Sequence, residues 1–176
     1  MDNQIILACD DQGNFQEYLP RMVGHTGVGR KHIGITILIT NNKGQMLLQR
    51  RKHKVFDNIW CLSADTHRYH LESGDETLEV AAARSLKEDF NIPNIPLKNL
   101  GFFNYFGKDG EYCENEYCAM MVGEYDEEPE LNPKSGYGYT WMSKEKFLKD
   151  FAKNPAKYAP WVPGGMEILK QKGFFG

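Results

Sequence analysis

Apolar and β-branched residues form short runs in the first third of the chain, and turn residues separate these runs. Ile5 to Cys9 is one such run, and the polar segment 10–14 ends it. His32 to Thr40 is β-branched and mostly apolar, which is typical of a buried strand. Asn41 to Gly44 then turns the chain into Met46 to Arg51, so the pattern predicts a β-hairpin.

The hydrophobic spacing changes to that of a helix in the middle of the chain. Apolar residues recur at helical intervals through the segment from Ser73 to Phe90. Ser73 and Glu76 form a capping-box pattern at its start, and Pro93 stands just beyond its end. We therefore predict one amphipathic helix from Ser73 to Phe90.

The remaining pattern predicts three more strands and two more helices. The strands are expected over 100–106, 114–122 and 137–142, and the helices from Ser143 to about Lys153 and over 165–172. Strands, a central helix, more strands and terminal helices together indicate an α/β (α+β) sandwich. The length fits a single domain spanning residues 1–176.

Composition narrows the classes of function. The net charge of -3 argues against a general nucleic-acid binder, because such proteins usually carry a basic surplus. No apolar run reaches the roughly 18 residues that a membrane span needs, and the acidic N-terminal segment does not resemble a signal peptide. The four cysteines form no C-x-x-C pair, so we expect reduced thiols and a cytoplasmic location. We also expect a monomer or a weak dimer.

Three of the five histidines, His25, His32 and His67, stand at predicted strand ends or in loops, where metal ligands are common. On spacing alone, three surface or core histidines with no shared role are the favoured interpretation. Glu114 and Glu116 point to one face of a predicted strand, where two carboxylates repel unless a cation or a proton lies between them. A solvated acidic strand face is the alternative reading.

Basic residues offer candidates for phosphate binding. Arg50 and Arg51 end a predicted strand, where forked guanidinium groups could grip a phosphate, and Arg21 and Lys54 are further candidates. Solvated surface cations are the alternative for each of them.

The central helix carries Glu76, Arg84, Glu88 and Asp89, which fit the acidic and basic positions of the Nudix pattern G-x5-E-x7-R-E-U-x-E-E-x-G-U, with Asp89 as a conservative change. Three positions depart from that pattern: His70, Ser85 and Asn91. An exposed helix face with an i,i+4 pair of Arg84 and Glu88 is the alternative.

Five motifs in order resemble those of the type I isopentenyl diphosphate isomerases, which have the Nudix fold, over about Gln4 to about Met166. The motifs are His25-Thr26 through His32, Leu47 to Arg51, Trp60 with His67, Glu114 to Cys118, and Ala159-Pro160-Trp161. The resemblance implies a mixed-sheet α/β/α sandwich. It also implies a small-molecule diphosphate as the substrate.

The resemblance further implies the roles of individual residues. A divalent ion of the transition type, Mn2+ or Zn2+, would be held by His25, His32, His67, Glu114 and Glu116. A second ion, Mg2+, would bind near Asp89 together with the substrate. The diphosphate would be held by Arg21, Arg51 and Lys54, and the prenyl pocket would be lined by Tyr105 and Trp161.

One position departs from the isomerases in a way that matters for the chemistry. Where the family has a cysteine two residues before the histidine of the W-x6-H motif, this chain has Asp65. A thiol with a pKa of about 8.5 is protonated at neutral pH, whereas the pKa of Asp65 would have to rise from about 3.9 to about 7 for it to act as the acid. By strand rise we expect Cys61 to lie about 13 Å from Asp65, too far to replace that thiol.

Asp65 therefore leaves three roles open. It could be a neutral acid in a dry pocket, an ionised base with Glu116 or a metal-polarised water as the acid, or a metal ligand.

Three functions of the protein stay open. It could be an isomerase with Asp65 and Glu116 as the acid–base pair, a Nudix hydrolase of a nucleoside or prenyl diphosphate, or a non-catalytic protein that keeps the metal site.

Overall fold

The computed structural model describes residues 4–176, and in that range the chain forms one mixed eleven-stranded sheet between helices. The strands are β1 (Ile5–Cys9), β2 (Phe15–Pro20), β3 (His32–Thr40), β4 (Gln45–Arg51), β5 (Trp60–Cys61), β6 (Ala64–His67), β7 (Tyr69–Leu71), β8 (Gly74–Asp75), β9 (Leu97–Asp109), β10 (Tyr112–Glu124) and β11 (Gly136–Ser143). The helices are α1 (Arg21–Gly24), α2 (Leu78–Phe90), α3 (Lys144–Lys153) and α4 (Val162–Gln171), with a 3-10 turn at Pro155–Lys157. The predicted α/β class is confirmed.

Strand β3 is the centre of the sheet and was predicted with its observed bounds. It runs parallel to β10 and antiparallel to β6, so three strands contribute neighbouring side chains to each of its faces. On one face Ile35, Ile37 and Ile39 pack in a core with α2. On the other face Leu38 belongs to a core that includes residues of α3 and α4. Helices therefore cover both faces of the sheet, as the sandwich prediction requires.

The start of α2 differs from the sequence prediction. The helix begins at Leu78, and Thr77 is its N-cap, with the hydroxyl accepting from the amide of Val80 at 3.2 Å. Ser73 lies in the turn between β7 and β8 and does not cap the helix. Residues 69–75 form the short β7–β8 hairpin instead of the first turn of the helix. Glu76 therefore accepts from the amide of Tyr69 at 3.0 Å. The predicted capping box is therefore wrong.

Several short elements were not predicted, and others are longer than expected. Strands β5 to β8 and helix α1 are each two to four residues long, so they give little periodic signal, and β2 is exposed at all but one of its six positions. Helix α4 begins at Val162 rather than at residue 165, with a proline in its first turn. Ser143 caps α3 as predicted.

Two further expectations concern the whole chain. Each of the four cysteines is buried and unpaired. Among residues 4–176, no helix combines the length and apolar character needed to cross a membrane.

Candidate functional site

The sheet brings the predicted metal-ligand candidates together on one face. His32 of β3 lies opposite Glu116 of β10, and Gly34, two residues further on, lies opposite His67 of β6. Because alternate residues of a strand share a face, these side chains point to the same side of the sheet. His25 joins them from the turn that follows α1.

Five buried residues place their donor atoms within 4.8 Å of one another: His25, His32, His67, Glu114 and Glu116. The His25 and Glu114 side chains meet at 3.0 Å between Nε2 and Oε2, and His67 Nε2 lies 2.9 Å from Glu116 Oε1. This is the full ligand set that the resemblance implies, and we call it the five-residue cluster.

Backbone carbonyls orient two of the imidazole rings. His25 Nδ1 lies 2.6 Å from the carbonyl oxygen of Arg21, and His32 Nδ1 lies 2.8 Å from that of Arg30. A carbonyl only accepts, so each Nδ1 carries a proton, and a neutral ring would present the lone pair of its Nε2 to a cation in the cluster. Metal-binding histidines are typically held in this way by their second nitrogen.

The charges of the cluster fit a bound cation. Burial by itself raises the pKa of Glu114, but hydrogen bonds from His25 and His67 outweigh it and hold this pKa well below its usual range. Burial also raises the pKa of Glu116, and the nearby His32 and His67 rings likewise bring it down. Two ionised carboxylates thus lie side by side in a buried site, and His32 Nε2 has no hydrogen-bond partner. Nitrogen and oxygen donors of this kind suit Mn2+, Zn2+ or Fe2+.

A missing side chain on β3 makes room for the cluster. A Cβ atom placed on Gly34 would lie 2.0 Å from Glu116 Oε2, so any larger residue would displace that carboxylate. Sequence reasoning did not single out Gly34, although a glycine inside a strand often marks a close approach of another group.

A pocket opens beside the cluster and contains the residues predicted to act on the substrate. Its lining includes Asp65, Tyr105, Glu116 and Trp161. The Tyr105 hydroxyl donates to Glu116 Oε2 at 2.7 Å, and the Tyr105 ring lies 5.8 Å from the Trp161 ring. Glu116 therefore belongs to both the five-residue cluster and the pocket.

Asp65 is largely buried and lies 3.9 Å from a guanidinium nitrogen of Arg51. Burial raises the pKa of Asp65, while Arg51 and the neighbouring Thr36 and Cys61 side chains lower it, and the balance lies above the usual value. Asp65 is not a member of the five-residue cluster.

The expected distance between Cys61 and Asp65 is wrong. The Cys61 thiol lies near enough to the Asp65 carboxyl for each group to shift the pKa of the other, although neither Asp65 oxygen has a hydrogen-bond partner among the described residues. Cys61 pairs with Gln49 on β4, whereas Asp65 pairs with Thr36 on β3. The chain crosses from one strand to the other between them, so the rise of a single strand does not apply.

Of the three cations that the resemblance assigns to phosphate binding, two line the pocket and one does not. Arg21 and Arg51 line the pocket. Arg51 also lies over the Trp161 ring, with its guanidinium carbon 5.3 Å from the ring centre. Lys54 is not among the lining residues, and its ammonium group sits 4.5 Å above the Tyr112 ring. Sequence reasoning missed three other lining residues with basic side chains: Lys52, His53 and Lys134.

Helix α2 contributes a second group of polar residues to the same pocket, among them Arg84, Ser85, Glu88 and Asp89. Burial raises the pKa of Asp89 to about 6, with a hydrogen bond from Ser135 opposing it. Arg84 donates to Glu76 at 2.8 Å and also forms the i,i+4 ion pair with Glu88 at 3.7 Å, and Glu88 and Asp89 are the acids that α2 contributes to the pocket.

Comparisons with known proteins agree with this geometry. The NUDIX domain family matches residues 30–162. The isopentenyl-diphosphate Delta-isomerase of Nocardia farcinica is 28% identical over 165 residues, which cover 93% of each chain. The enzyme of the same name from Serratia proteamaculans is 26% identical and covers 98% of this chain and 93% of its own.

Solved structures show the same fold. The DR0079 protein of Deinococcus radiodurans superposes with a TM-score of 0.68 at 16% identity, covering 96% of this chain and 98% of its own. The MutT protein of Methanosarcina mazei gives a TM-score of 0.63 at 20% identity, over 81% of this chain and 95% of its own. Identities this low carry the fold alone.

Proposed function

This chain belongs to the NUDIX family, and from that premise we propose that it is a metal-dependent isomerase that interconverts isopentenyl diphosphate and dimethylallyl diphosphate. The relatives named isopentenyl-diphosphate Delta-isomerase match nearly the whole chain, which supports this substrate and reaction.

One observation carries the proposal: Glu116 is shared between the five-residue cluster and the pocket. The same carboxylate approaches His67 at 2.9 Å and accepts from Tyr105 at 2.7 Å. The dense set of donors thus lies on the sheet beside Asp65 and Trp161, whereas a hydrolase of the family would concentrate its acids on α2. Ser85 stands where the Nudix pattern places one of those helix glutamates.

The five-residue cluster would hold a divalent ion such as Mn2+ or Zn2+, and Asp89 would help to bind Mg2+ with the substrate diphosphate. A cation bound in the cluster supplies Lewis acidity and keeps the two carboxylates together against their mutual repulsion. Arg21 and Arg51 would bind the diphosphate, because forked guanidinium groups match phosphate oxygens. These roles follow from the resemblance and from the position of each residue in the pocket.

Asp65 and Glu116 are proposed as the acid–base pair. One carboxyl group gives a proton to the terminal alkene carbon of isopentenyl diphosphate, and the other accepts a proton from the allylic carbon, so the double bond moves without net change in atoms. Tyr105 would hold Glu116 in place through its hydrogen bond. The Trp161 face would stabilise the tertiary cation between the two steps, an attraction worth about 2 kcal/mol in a dry site.

The position of Arg51 favours a second candidate, hydrolysis of a nucleoside or prenyl diphosphate. Arg51 already lies over the Trp161 ring and near Asp65, so a carbocation there would meet a second positive charge. Glu88 and Asp89 face the same pocket and could serve a metal-activated water.

The deciding experiment incubates the protein with isopentenyl diphosphate in D2O with Mg2+ and Mn2+, followed by NMR, beside an Asp65→Cys variant. We expect dimethylallyl diphosphate that carries deuterium from the wild type. No deuterium in either isomer, together with release of phosphate or diphosphate from a substrate panel, would establish the hydrolase instead. Turnover by Asp65→Cys alone would show an isomerase scaffold whose natural reaction has changed.

The four buried, unpaired cysteines support a reducing, cytoplasmic location, which is part of the same proposal. A monomeric or weakly dimeric state stays a prediction.

A further inference from the structure

Arg21, at the rim of the pocket, is held without a carboxylate. Its Nη1 donates to Gln4 Oε1 at 3.1 Å, and its Nη2 lies 3.0 Å from His53 Nε2. Across residues 4–176, no carboxylate forms an ion pair with this guanidinium group. Its charge therefore stays uncompensated and available to an anion in the pocket.

The contact with Arg21 fixes the state of the His53 ring. A guanidinium group has only donors, so His53 Nε2 must accept, and the ring is neutral with its proton on Nδ1. Nδ1 faces both the carbonyl oxygen of Val55 at 3.3 Å and the Val55 amide at 3.2 Å, and the contact with Arg21 selects the tautomer in which Nδ1 donates to the carbonyl. Burial lowers the pKa of His53 to about 3, and the charges of Arg51 and Arg21 act in the same direction.

The ring is also fixed from its own backbone. The His53 amide donates to Asp57 Oδ1 at 3.1 Å, within the loop that joins β4 to β5. His53 thus lies in a hydrogen-bonded turn two residues after Arg51, and it lines the pocket that Arg21 and Arg51 share.

The backbone of Arg21 contacts the five-residue cluster, in addition to the contacts of its side chain. Its carbonyl oxygen accepts from His25 Nδ1 at 2.6 Å, so the backbone of Arg21 orients a member of the five-residue cluster while its side chain reaches the pocket. A shift of Arg21 would disturb both groups at once.

We propose that His53 is a positioning residue, which as a neutral hydrogen-bond acceptor holds the Arg21 guanidinium group towards the diphosphate of the substrate. This inference rests on the proposed function, because it deepens how that site binds its diphosphate. A carboxylate at position 53 would also hold Arg21, but it would cancel the charge that the anion needs. A lysine or a charged imidazole would repel Arg21.

The test measures binding of inorganic diphosphate with Mg2+ by calorimetry, for the wild type, His53→Ala and His53→Gln, each also in an Arg21→Ala background. We expect His53→Ala to weaken binding about tenfold, which corresponds to about 1.4 kcal/mol, because the Arg21 guanidinium group loses its acceptor. His53→Gln should retain binding to within about twofold, because its side-chain oxygen can accept. In the Arg21→Ala background, His53→Ala should cause no further loss.

The matched control is His70→Ala, which removes a histidine paired with Asp75 on the β7–β8 hairpin, outside the pocket lining. With isopentenyl diphosphate, His53→Ala should raise KM about tenfold and leave kcat unchanged, whereas a general loss of structure would lower kcat as well.

Three outcomes would overturn the inference: His53→Ala that binds diphosphate as well as the wild type, a loss that persists without Arg21, or a wild type that binds no diphosphate. Histidine 15N NMR of the wild type gives a check that needs no variant, and a ring protonated on Nε2 would also overturn it. If diphosphate binds as expected but no isomerisation occurs, the proposed function fails while the role of His53 stands.

Discussion

The two faces of strand β3 are built from alternate residues of one segment, yet one face packs in the hydrophobic core and the other contributes to the candidate site. On one face Ile35, Ile37 and Ile39 are almost completely buried in the core with α2. On the other face His32 lies in the five-residue cluster, and Gly34 makes space for a carboxylate. Strict alternation along β3 therefore places a hydrophobic core on one face and a polar site on the other. We call the face with the three isoleucines the sealed face and the face with His32 and Gly34 the site face.

The difference shows how each face is specified. The apolar face needs only hydrophobic residues of suitable size, so many substitutions would preserve it at some cost in stability. The site face needs His32, Glu116 and His67 from three neighbouring strands in one register. Changes on the two faces should therefore separate loss of activity from loss of stability.

The largest expected effect comes from Glu116→Gln on the site face. We expect turnover of isopentenyl diphosphate to fall about 1,000-fold, because this change removes a proposed acid–base group and a metal-ligand candidate together. The free energy of unfolding without metal should fall only modestly, because the histidine contacts that hold the pKa of Glu116 below its usual range favour the ionised carboxylate in the folded protein. Single-turnover kinetics and urea denaturation measure the two effects.

Glu124→Gln is the matched control, at the exposed end of the same strand. It should leave both turnover and stability unchanged. Equal losses in the two variants would mean that the site face has no special chemistry.

The opposite result is expected for Ile37→Ala on the sealed face. The fully buried side chain leaves a cavity beside α2, so the free energy of unfolding should fall by about 3 kcal/mol. Mn2+ affinity of the folded protein should stay the same. Val80→Ala, on an exposed side chain of α2, should change stability by less than about 0.5 kcal/mol. A loss of Mn2+ affinity in Ile37→Ala would show that the two faces are coupled.

The sealed face could be predicted from local pattern, and much of the site could be predicted from motifs. Periodicity predicts the bounds of β3, and the resemblance names all five members of the cluster. Contacts that depend on irregular backbone could not be predicted in this way. Cys61 lies beside Asp65 only because the chain changes strand between them. His53 reaches Arg21 from a loop that has no periodic pattern.

Gly34→Ala adds a single methyl group on the site face, in the space that the Glu116 carboxylate occupies. The new Cβ would lie 2.0 Å from Glu116 Oε2, and the flexible carboxylate would move rather than the strand. We expect Mn2+ affinity to fall about tenfold, as for other changes that reposition a metal ligand. Titration of the metal-free protein with Mn2+ measures the affinity.

Gly138→Ala provides the control for Gly34→Ala. Gly138 lies in β11, and an added Cβ there would meet no atom within 4 Å. Its Mn2+ affinity should equal that of the wild type. An unchanged affinity in Gly34→Ala would instead mean that the position of Glu116 does not govern binding.

The smallest expected effect concerns the first residue of α2, the helix that packs on the sealed face. Thr77 caps the helix through the amide of Val80, so Thr77→Ala should lower the free energy of unfolding by about 1 kcal/mol. Ser73→Ala, at the cap that the sequence pattern favoured, should have no measurable effect, because Ser73 lies in the β7–β8 turn. Both variants should keep the wild-type Mn2+ affinity, since neither residue touches the five-residue cluster. Urea denaturation of the pair distinguishes the two positions, and a larger loss for Ser73→Ala would move the start of α2 back to the turn.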